Sequence, residues 1–475
     1  MSSIHSLSMH QVAQSYQNIL AQYQQTFSHS YDHQAQVGEH SDILEAQSDL
    51  EPSNLLDQKG SLNSYCVGPF KQILTLRDLP LRGPLKDQQL EIIHDAGLWI
   101  EQGVIRQIFP WNDLEHIQKQ HPTLFIIHLS ADYVLTPGLV DAHTHLCYAG
   151  KRARDYADRL NGVSYQEITA RGGGIRDSMR ATREASLSQL RNENIPRLFR
   201  HLSHGVTTVE IKSGYGLSVD SELKQLQAIQ SMQAYTPQTL IATCLAAHVL
   251  PPEFTEHDAY LQHIIHDLLP HVQQQNLSKR IDIFVEPDAF DVHYARSYLQ
   301  QAQRMGFDLC VHADQFVAGG MLLAAELNAR SADHLEATDI KDLPRMSQSD
   351  CVAVALPGAS LGLGCALTPA RQILDHGISL AIASDWNPGS APMGHLLLQA
   401  SVLGAHQKLS AAEVWAGMCI RAAHALGVSG HIGSIQVGYQ ADLLAFATDD
   451  YRDILYYQGM QLPCYVACQG QWWTN

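Results

Sequence analysis

Positive charge is scarce in this chain of 475 residues: 31 Lys and Arg stand against 48 Asp and Glu, a formal net charge of −17. Nucleic-acid surfaces and anionic membrane patches need clustered Lys and Arg, so neither is expected as a partner. A small anionic ligand stays open, because one well-placed Arg outweighs the global field inside a cleft. No apolar run approaches the roughly 18 residues of a membrane span, and no targeting leader is recognisable at the start. A soluble, cytoplasmic protein is the expectation. Cysteine pairing is missing too: the nine Cys are scattered, and Cys464 with Cys468 has no second pair to complete a zinc site. The run Arg171-Gly172-Gly173-Gly174 lacks the Lys-Ser/Thr of a phosphate loop and does not match G-x-G-x-x-G, so it reads as a flexible loop or helix break.

Histidine, by contrast, is plentiful. With 26 of them, chance alone would place about one His-x-His pair. The pair in Val140-Asp141-Ala142-His143-Thr144-His145 is set apart by its position, directly beyond an apolar run with a Pro137-Gly138 turn. Imidazoles at i and i+2 at the mouth of a strand share one side of the chain and can close on one metal ion.

The organisation of the chain follows from composition and periodicity. Residues 1–62 are rich in Gln, Ser and His, with Lys59 as the only Lys or Arg. They read as a tail, in which Met9, Val12, Tyr16, Ile19, Leu20, Tyr23 and Phe27 recur at the spacing of one amphipathic helix. Short β-like runs follow at 72–76, 91–94, 98–101, 104–109 and 124–129, and similar runs return at 435–437, 441–446 and 465–469. The two sets, within 63–136 and 430–475, predict one small β-sandwich built from both ends of the chain. Between them, over 137–429, apolar strands alternate with helical patterns. Strand candidates are 134–140, 206–211, 240–246, 281–285, 309–311, 331–332, 351–356 and 379–383. Eight strand–helix units predict an α/β fold, a (β/α)8 barrel of the TIM type, with chemistry at the C-terminal strand ends. The first gap is unusually long, so an active-site loop is expected there.

Residues just past the strands are His143 and His145, then Lys212 to Tyr215, His248, Glu286, His312, Asp333 with His334, Pro357 and Asp385, an unusually polar set apart from the proline. His143, His145, His312 and Asp385 make the best first shell, three neutral imidazoles and a carboxylate around one divalent ion, with water in the remaining position. A metal lowers the pKa of such a water toward ~7. Asp385 can take its proton, and His334 can stabilise charge or pass a proton to a leaving nitrogen. A carbamylated Lys212 bridging two metals is the competing reading. Arg152, close after the histidine pair, suits bidentate capture of a carboxylate. After the eighth strand, Asp385-Trp386-Asn387-Pro388-Gly389-Ser390 offers small residues and backbone N–H groups as an anion-binding concavity.

Thr136-Pro137-Gly138-Leu139-Val140-Asp141-Ala142-His143-Thr144-His145, Val311-His312-Ala313-Asp314 and Ser384-Asp385-Trp386-Asn387-Pro388-Gly389 resemble the amidohydrolase superfamily. More narrowly, Gly172-Gly173-Gly174-Ile175 with Arg180-Ala181-Thr182-Arg183, Glu210-Ile211-Lys212-Ser213-Gly214-Tyr215-Gly216-Leu217 and Ala247-His248-Val249-Leu250-Pro251-Pro252-Glu253 resemble the imidazolonepropionase family. The resemblance runs from about 70 to 475 and leaves out the tail. It implies hydrolysis of 4-imidazolone-5-propanoate to N-formimidoyl-L-glutamate in histidine degradation, with zinc or iron. It carries the metal ligands onto His143, His145, His312 and Asp385, and substrate contacts onto Arg152, Tyr215, His248, Asn387, Gly389 and Ser390. A homodimer is expected.

Three departures stand out. Gln315 occupies a substrate-side position where some members carry Glu; an amide is no base, so proton removal falls to Asp385 or His334. Ser390 replaces the commoner Thr and keeps the hydroxyl. Ala142 stands where Pro is common. Two other readings remain: an aminohydrolase of a ring amine, disfavoured by Arg152 and Tyr215, and a non-catalytic scaffold, disfavoured by the complete ligand set.

Overall fold

The computed structural model describes residues 6–9, 14–15, 63–163, 167–168 and 171–474. Its centre is a barrel of eight parallel strands: β1 (Leu139–Asp141), β2 (Val206–Lys212), β3 (Thr239–Ala247), β4 (Arg280–Val285), β5 (Asp308–Ala313), β6 (Ser331–His334), β7 (Val352–Ala355) and β8 (Leu380–Ile382). Each pairs with its sequence neighbour. Every residue of β2 is buried, because a barrel strand faces side-chain layers on one side and helices on the other. The outer helices bury one stripe each. Leu187–Ser203 starts on a capping box of Ser186 and Gln189 and buries Leu190, Ile195, Leu198, Phe199 and Leu202.

The seam between β8 and β1 is closed by the loops just beyond them. Asp385 N–H donates to the His143 carbonyl at 3.0 Å, and His145 N–H donates to the Trp386 carbonyl at 2.9 Å. The predicted metal-binding segments therefore complete the barrel.

A second sheet of ten strands is drawn from both ends of the chain. Ser64–Leu74 pairs with Ile92–Glu101, Phe125–His128 and Val134–Pro137, while Leu443–Phe446 runs antiparallel to Val134–Pro137 and continues into Tyr465–Cys468 and Gln471–Thr474. Tyr65, Val67, Phe70, Leu98, Ile105, Leu443 and Trp472 share its apolar core. The 134–140 run expected as one strand is two, because the chain leaves this sheet at Pro137 and enters the barrel at Leu139. Gly138 makes that passage: a Cβ there would lie 2.1 Å from Thr207 Oγ1. Residues 91–94 and 98–101 belong to one strand. Residues 435–437 form no strand; their apolarity serves the core, where Ile435 is buried. Gln471–Thr474 is an additional strand.

The sheet also takes Ser6–Ser8, parallel to Phe125–His128, and Gln14–Ser15, parallel to Gln471–Thr474. Met9 is buried in its core. Part of the expected tail thus extends the sheet, since strand edges offer unpaired N–H and C=O groups to any adjacent extended segment. The amphipathic helix expected over residues 9–27 otherwise lies outside the described residues. Gly138→Ala should destabilise the protein by about 1–3 kcal/mol through forced overpacking against Thr207, read as a lowered urea midpoint at unchanged slope.

Candidate metal centre

His143 and His145 stand just past β1, His312 is the penultimate residue of β5, His334 ends β6, and Asp385 lies just beyond β8. The barrel brings these tips to one point. His143 Nε2 lies 3.3 Å from His145 Nε2, which lies 3.2 Å from His312 Nε2. Asp385 Oδ1 is 3.6 Å from His143 Nε2 and 3.4 Å from His145 Nε2, and it is buried without a hydrogen-bond donor. Two nitrogens bound tetrahedrally to one zinc-sized ion at about 2.0–2.1 Å lie about 3.3 Å apart. The spacing and the orphaned carboxylate oxygen fit a divalent ion, with His143 gathered both with His145 and Asp385 and with His312 and His334.

Imidazoles ligate only when neutral, and burial keeps them so. Desolvation holds His143 and His145 well below the usual histidine range, helped by Lys212 near His143 and by the neighbouring imidazoles near His145. His312 is pushed down to about 4 by burial despite Asp282. The rings are held from behind: His143 Nδ1 is 2.6 Å from Asp333 Oδ2, and His312 Nδ1 is 3.0 Å from Asp282 Oδ2. Such carboxylate–histidine pairs orient metal ligands. Burial pushes Asp385 up to about 7, against the pull of His334. His334 moves the other way from its neighbours. Burial opposes its charge, yet Glu336, with Oε2 3.5 Å from Nδ1, and Asp385 and Asp333 outweigh it and raise its pKa.

Next to the imidazoles lies an aromatic wall. The His248 ring stacks on His145 at 5.3 Å, and Tyr215 approaches both. His248 Nδ1 faces the Gly214 carbonyl at 2.9 Å, and burial pushes its pKa down to about 4. With that proton fixed on Nδ1, Nε2 is an acceptor.

A second group forms around the loop after β8. Asn387 donates through Nδ2 to the Asp385 carbonyl at 2.7 Å and to Ser390 Oγ at 2.9 Å. The backbone N–H groups of Gly389 and Ser390 do not line an anion cradle; both donate to Asn387 Oδ1, at 2.7 and 2.8 Å. Asn387 thus ties the loop to the backbone of Asp385, and charge for an anion falls to Arg152. Its guanidinium lies against Gly389, where a Cβ would come within 2.6 Å of Nη1, and its Nε donates to Asp155 at 3.1 Å. Among the described contacts Gln315 joins neither group. It sits half-buried beyond β5, on a loop whose backbone N–H groups at Phe316 and Val317 donate to Glu286.

The competing carbamate at Lys212 does not fit. Its Nζ lies 2.8 Å from both Glu210 and Asp282 and 3.7 Å from Asp333, so an anionic group there would face three carboxylates. Sequence reasoning missed Glu210, Asp282, Asp155, Arg159 and Glu336. Asp282, between Ile281 and Ile283 in a buried strand, was a readable signal, because buried carboxylates need partners. Arg159, which donates to the Gly389 carbonyl at 2.9 Å, lies on an ordinary polar helix and gave none.

Metal affinity of the metal-free protein should decline as pH falls through about 7, because Asp385 is then a neutral acid whose proton the ion must displace; above 7 the carboxylate is ready. Chelator competition on both sides of pH 7 checks this, and an affinity flat across that range would remove Asp385 from the ligand set.

The chain is similar to known proteins over most of its length. The profile described as Amidohydrolase family matches residues 317–470. An imidazolonepropionase of Geobacillus thermodenitrificans is 40% identical over 377 residues, covering 79% of this chain and 89% of that protein. One of Chloroflexus aggregans is 37% identical over 434 residues, covering 89% and 99%. Among solved structures, guanine deaminase of E. coli superposes with a TM-score of 0.64 at 13% identity, covering 87% of this chain and 99% of that one. A Xanthomonas campestris adenosine deaminase with bound zinc gives 0.57 at 16%, covering 86% and 92%. At such identities these last two speak for the fold alone. With relatives this similar over nearly their whole length, and the superfamily's histidine–aspartate cluster at its barrel mouth, the chain belongs to the imidazolonepropionase family of metal-dependent amidohydrolases.

Proposed function

We propose that this chain hydrolyses 4-imidazolone-5-propanoate to N-formimidoyl-L-glutamate, breaking one ring C–N bond in the degradation of histidine. What supports the reading is the loop after β8, which joins two unlike groups: Asp385 stands with the neutral imidazoles, and Gly389, tied to the Asp385 backbone through Asn387, lies against the Arg152 guanidinium. A ring amide with a carboxylate side chain matches both.

His143, His145, His312 and Asp385 would hold one divalent ion, zinc or iron, since imidazole and carboxylate donors suit both. Bound there, the ion acidifies water and polarises the ring carbonyl. The remaining work falls to side chains. Arg152 binds the propionate, and Asp155 fixes the direction of its guanidinium. Tyr215 and His248 flank the ring, with His248 Nε2 accepting a ring N–H. The Asp385 carboxylate takes the proton of the attacking water. His334 turns its Nδ1 toward Glu336, which leaves Nε2 to protonate the departing ring nitrogen. Gln315 has no base role, and its amide borders the substrate. Proton transfer of this kind contributes typically 10²–10⁴-fold.

A homodimer acting on a small anionic substrate in the cytoplasm belongs to the same reading. The small-molecule substrate is supported by the similarity to imidazolonepropionases over most of the chain.

The test is loss of imidazolone absorbance on incubation with freshly made substrate, before chelation, after it, and with metal restored. Metal-dependent turnover is expected; tightly bound metal without turnover would send the substrate assignment to a ring amine. His312→Ala should abolish turnover and weaken metal binding. Arg152→Ala and Gly389→Ala, which pushes the guanidinium aside, should mainly raise KM, and a fall in kcat alone would place Arg152 outside substrate binding.

A further inference from the structure

Behind the imidazole cluster lies a layer of charge that no step above uses. Lys212, at the end of β2, is 1% exposed, and Glu210, Asp282 and Asp333 around it are equally sealed from water. Each of these carboxylates grips a different part of the ligand set. Glu210 Oε2 accepts the N–H of Thr144 at 3.1 Å, and its own carbonyl accepts the Thr144 hydroxyl at 2.6 Å, which fixes the backbone between His143 and His145. Asp282 Oδ1 accepts the N–H of His312 at 3.2 Å, while its Oδ2 faces both His312 Nδ1 and the Lys212 amine. Asp333 Oδ2 faces His143 Nδ1 at 2.6 Å and Lys212 Nζ at 3.7 Å. The backbone joins in, since Lys212 N–H donates to the Thr144 carbonyl at 2.9 Å.

One ammonium therefore sits where three carboxylates meet, and each carboxylate reaches one ligand-bearing segment. Without that charge, three buried anions would repel one another at close range, and each would relax toward water or take up a proton. Either response turns a ring or shifts the His143–His145 backbone. Local charge is also matched to the expected occupant: one ammonium against three carboxylates leaves a deficit that a divalent cation offsets.

We propose that Lys212 is a positioning residue of the metal centre, whose ammonium holds Glu210, Asp282 and Asp333 in place and through them aims the ligating nitrogens of His143, His145 and His312 before an ion binds. It touches neither substrate nor ion. The inference rests on the ligand set of the proposed function, but not on the identity of the substrate.

The experiment is metal affinity by chelator competition on purified full-length protein, with zinc as the probe, alongside kcat, KM and the melting temperature of the metal-free form. Lys212→Met, nearly isosteric and uncharged, should weaken zinc binding by about 10- to 100-fold and lower kcat at near-constant KM. Glu210→Gln combined with Lys212→Met removes one of the stranded anions while an amide oxygen can still accept from Thr144, so it should recover part of the lost affinity. That recovery is what a merely structural role would not produce. If Lys212→Met does not fold, Glu210→Gln alone decides: zinc affinity lowered severalfold supports the clamp, and wild-type affinity overturns it. Wild-type affinity in folded Lys212→Met, or no recovery in the double variant, overturns it as well. So does a carbamate carbonyl signal on Lys212 in protein grown with isotope-labelled bicarbonate. Wild-type protein that shows the predicted order of affinities but does not open the imidazolone ring would instead count against the substrate reading alone.

Discussion

A charge buried in protein is tolerable only with its counter-charge beside it, and the upper end of this barrel is arranged around that requirement. Three neutral imidazoles and an aspartate face inward, while the layer behind them is ionic, with carboxylates of β2, β4 and β6 gathered on one lysine. The outer layer faces two of the rings from behind, with Asp333 at His143 Nδ1 and Asp282 at His312 Nδ1, and holds the backbone between His143 and His145 through Glu210. His334 stands apart from the neutral set, since Glu336 and Asp385 favour its charged form. Opposite protonation preferences within one cluster are what the proposed division between ligands and proton carrier requires.

Backbone geometry at the strand tips tells the same story. Asp314, His334 and Asp385, just past or at the ends of β5, β6 and β8, have φ of 55°, 87° and 50°. Left-handed conformation at a non-glycine residue costs of order 1–3 kcal/mol and persists only where surrounding contacts over-determine it. Here they do: Asp314 accepts N–H groups from Gly319 and Met321, and Asp385 is pinned by the seam to His143. At His334 and Asp385 the turned side chains stand in the imidazole cluster, while that of Asp314 is spent on its own loop and on Thr338.

Much of this was legible in the sequence. All eight barrel strands stand where apolar runs ended in polar tips, because a strand buried on both faces leaves a nearly unbroken apolar signature and its functional tip interrupts it. His143, His145, His312 and Asp385 converge as their positions at those tips required. What stayed hidden depended on three-dimensional neighbours. Pro137 and Leu139 look continuous until Gly138 is seen pressed against Thr207. The N–H groups after Asp385 looked available until Asn387 turned back to take them. Arg159 and Asp155 lie on a helix whose polar residues resemble any solvated face, and only the fold shows which of them point at the loop of Gly389. The short strand at Ser6–Ser8 had no signature of its own, since its partner supplies the pairing.

The seam of the barrel has a temporal side. His143 and His145 leave the ribosome long before Asp385, yet the hydrogen bonds joining β8 to β1 run through these residues themselves. A nascent or partly folded chain thus owns a His-x-His pair but no fourth donor and no closed wall to press the imidazoles together. The donors proposed as ligands are gathered only once β8 has docked on β1, so that donor set is tied to closure of the barrel.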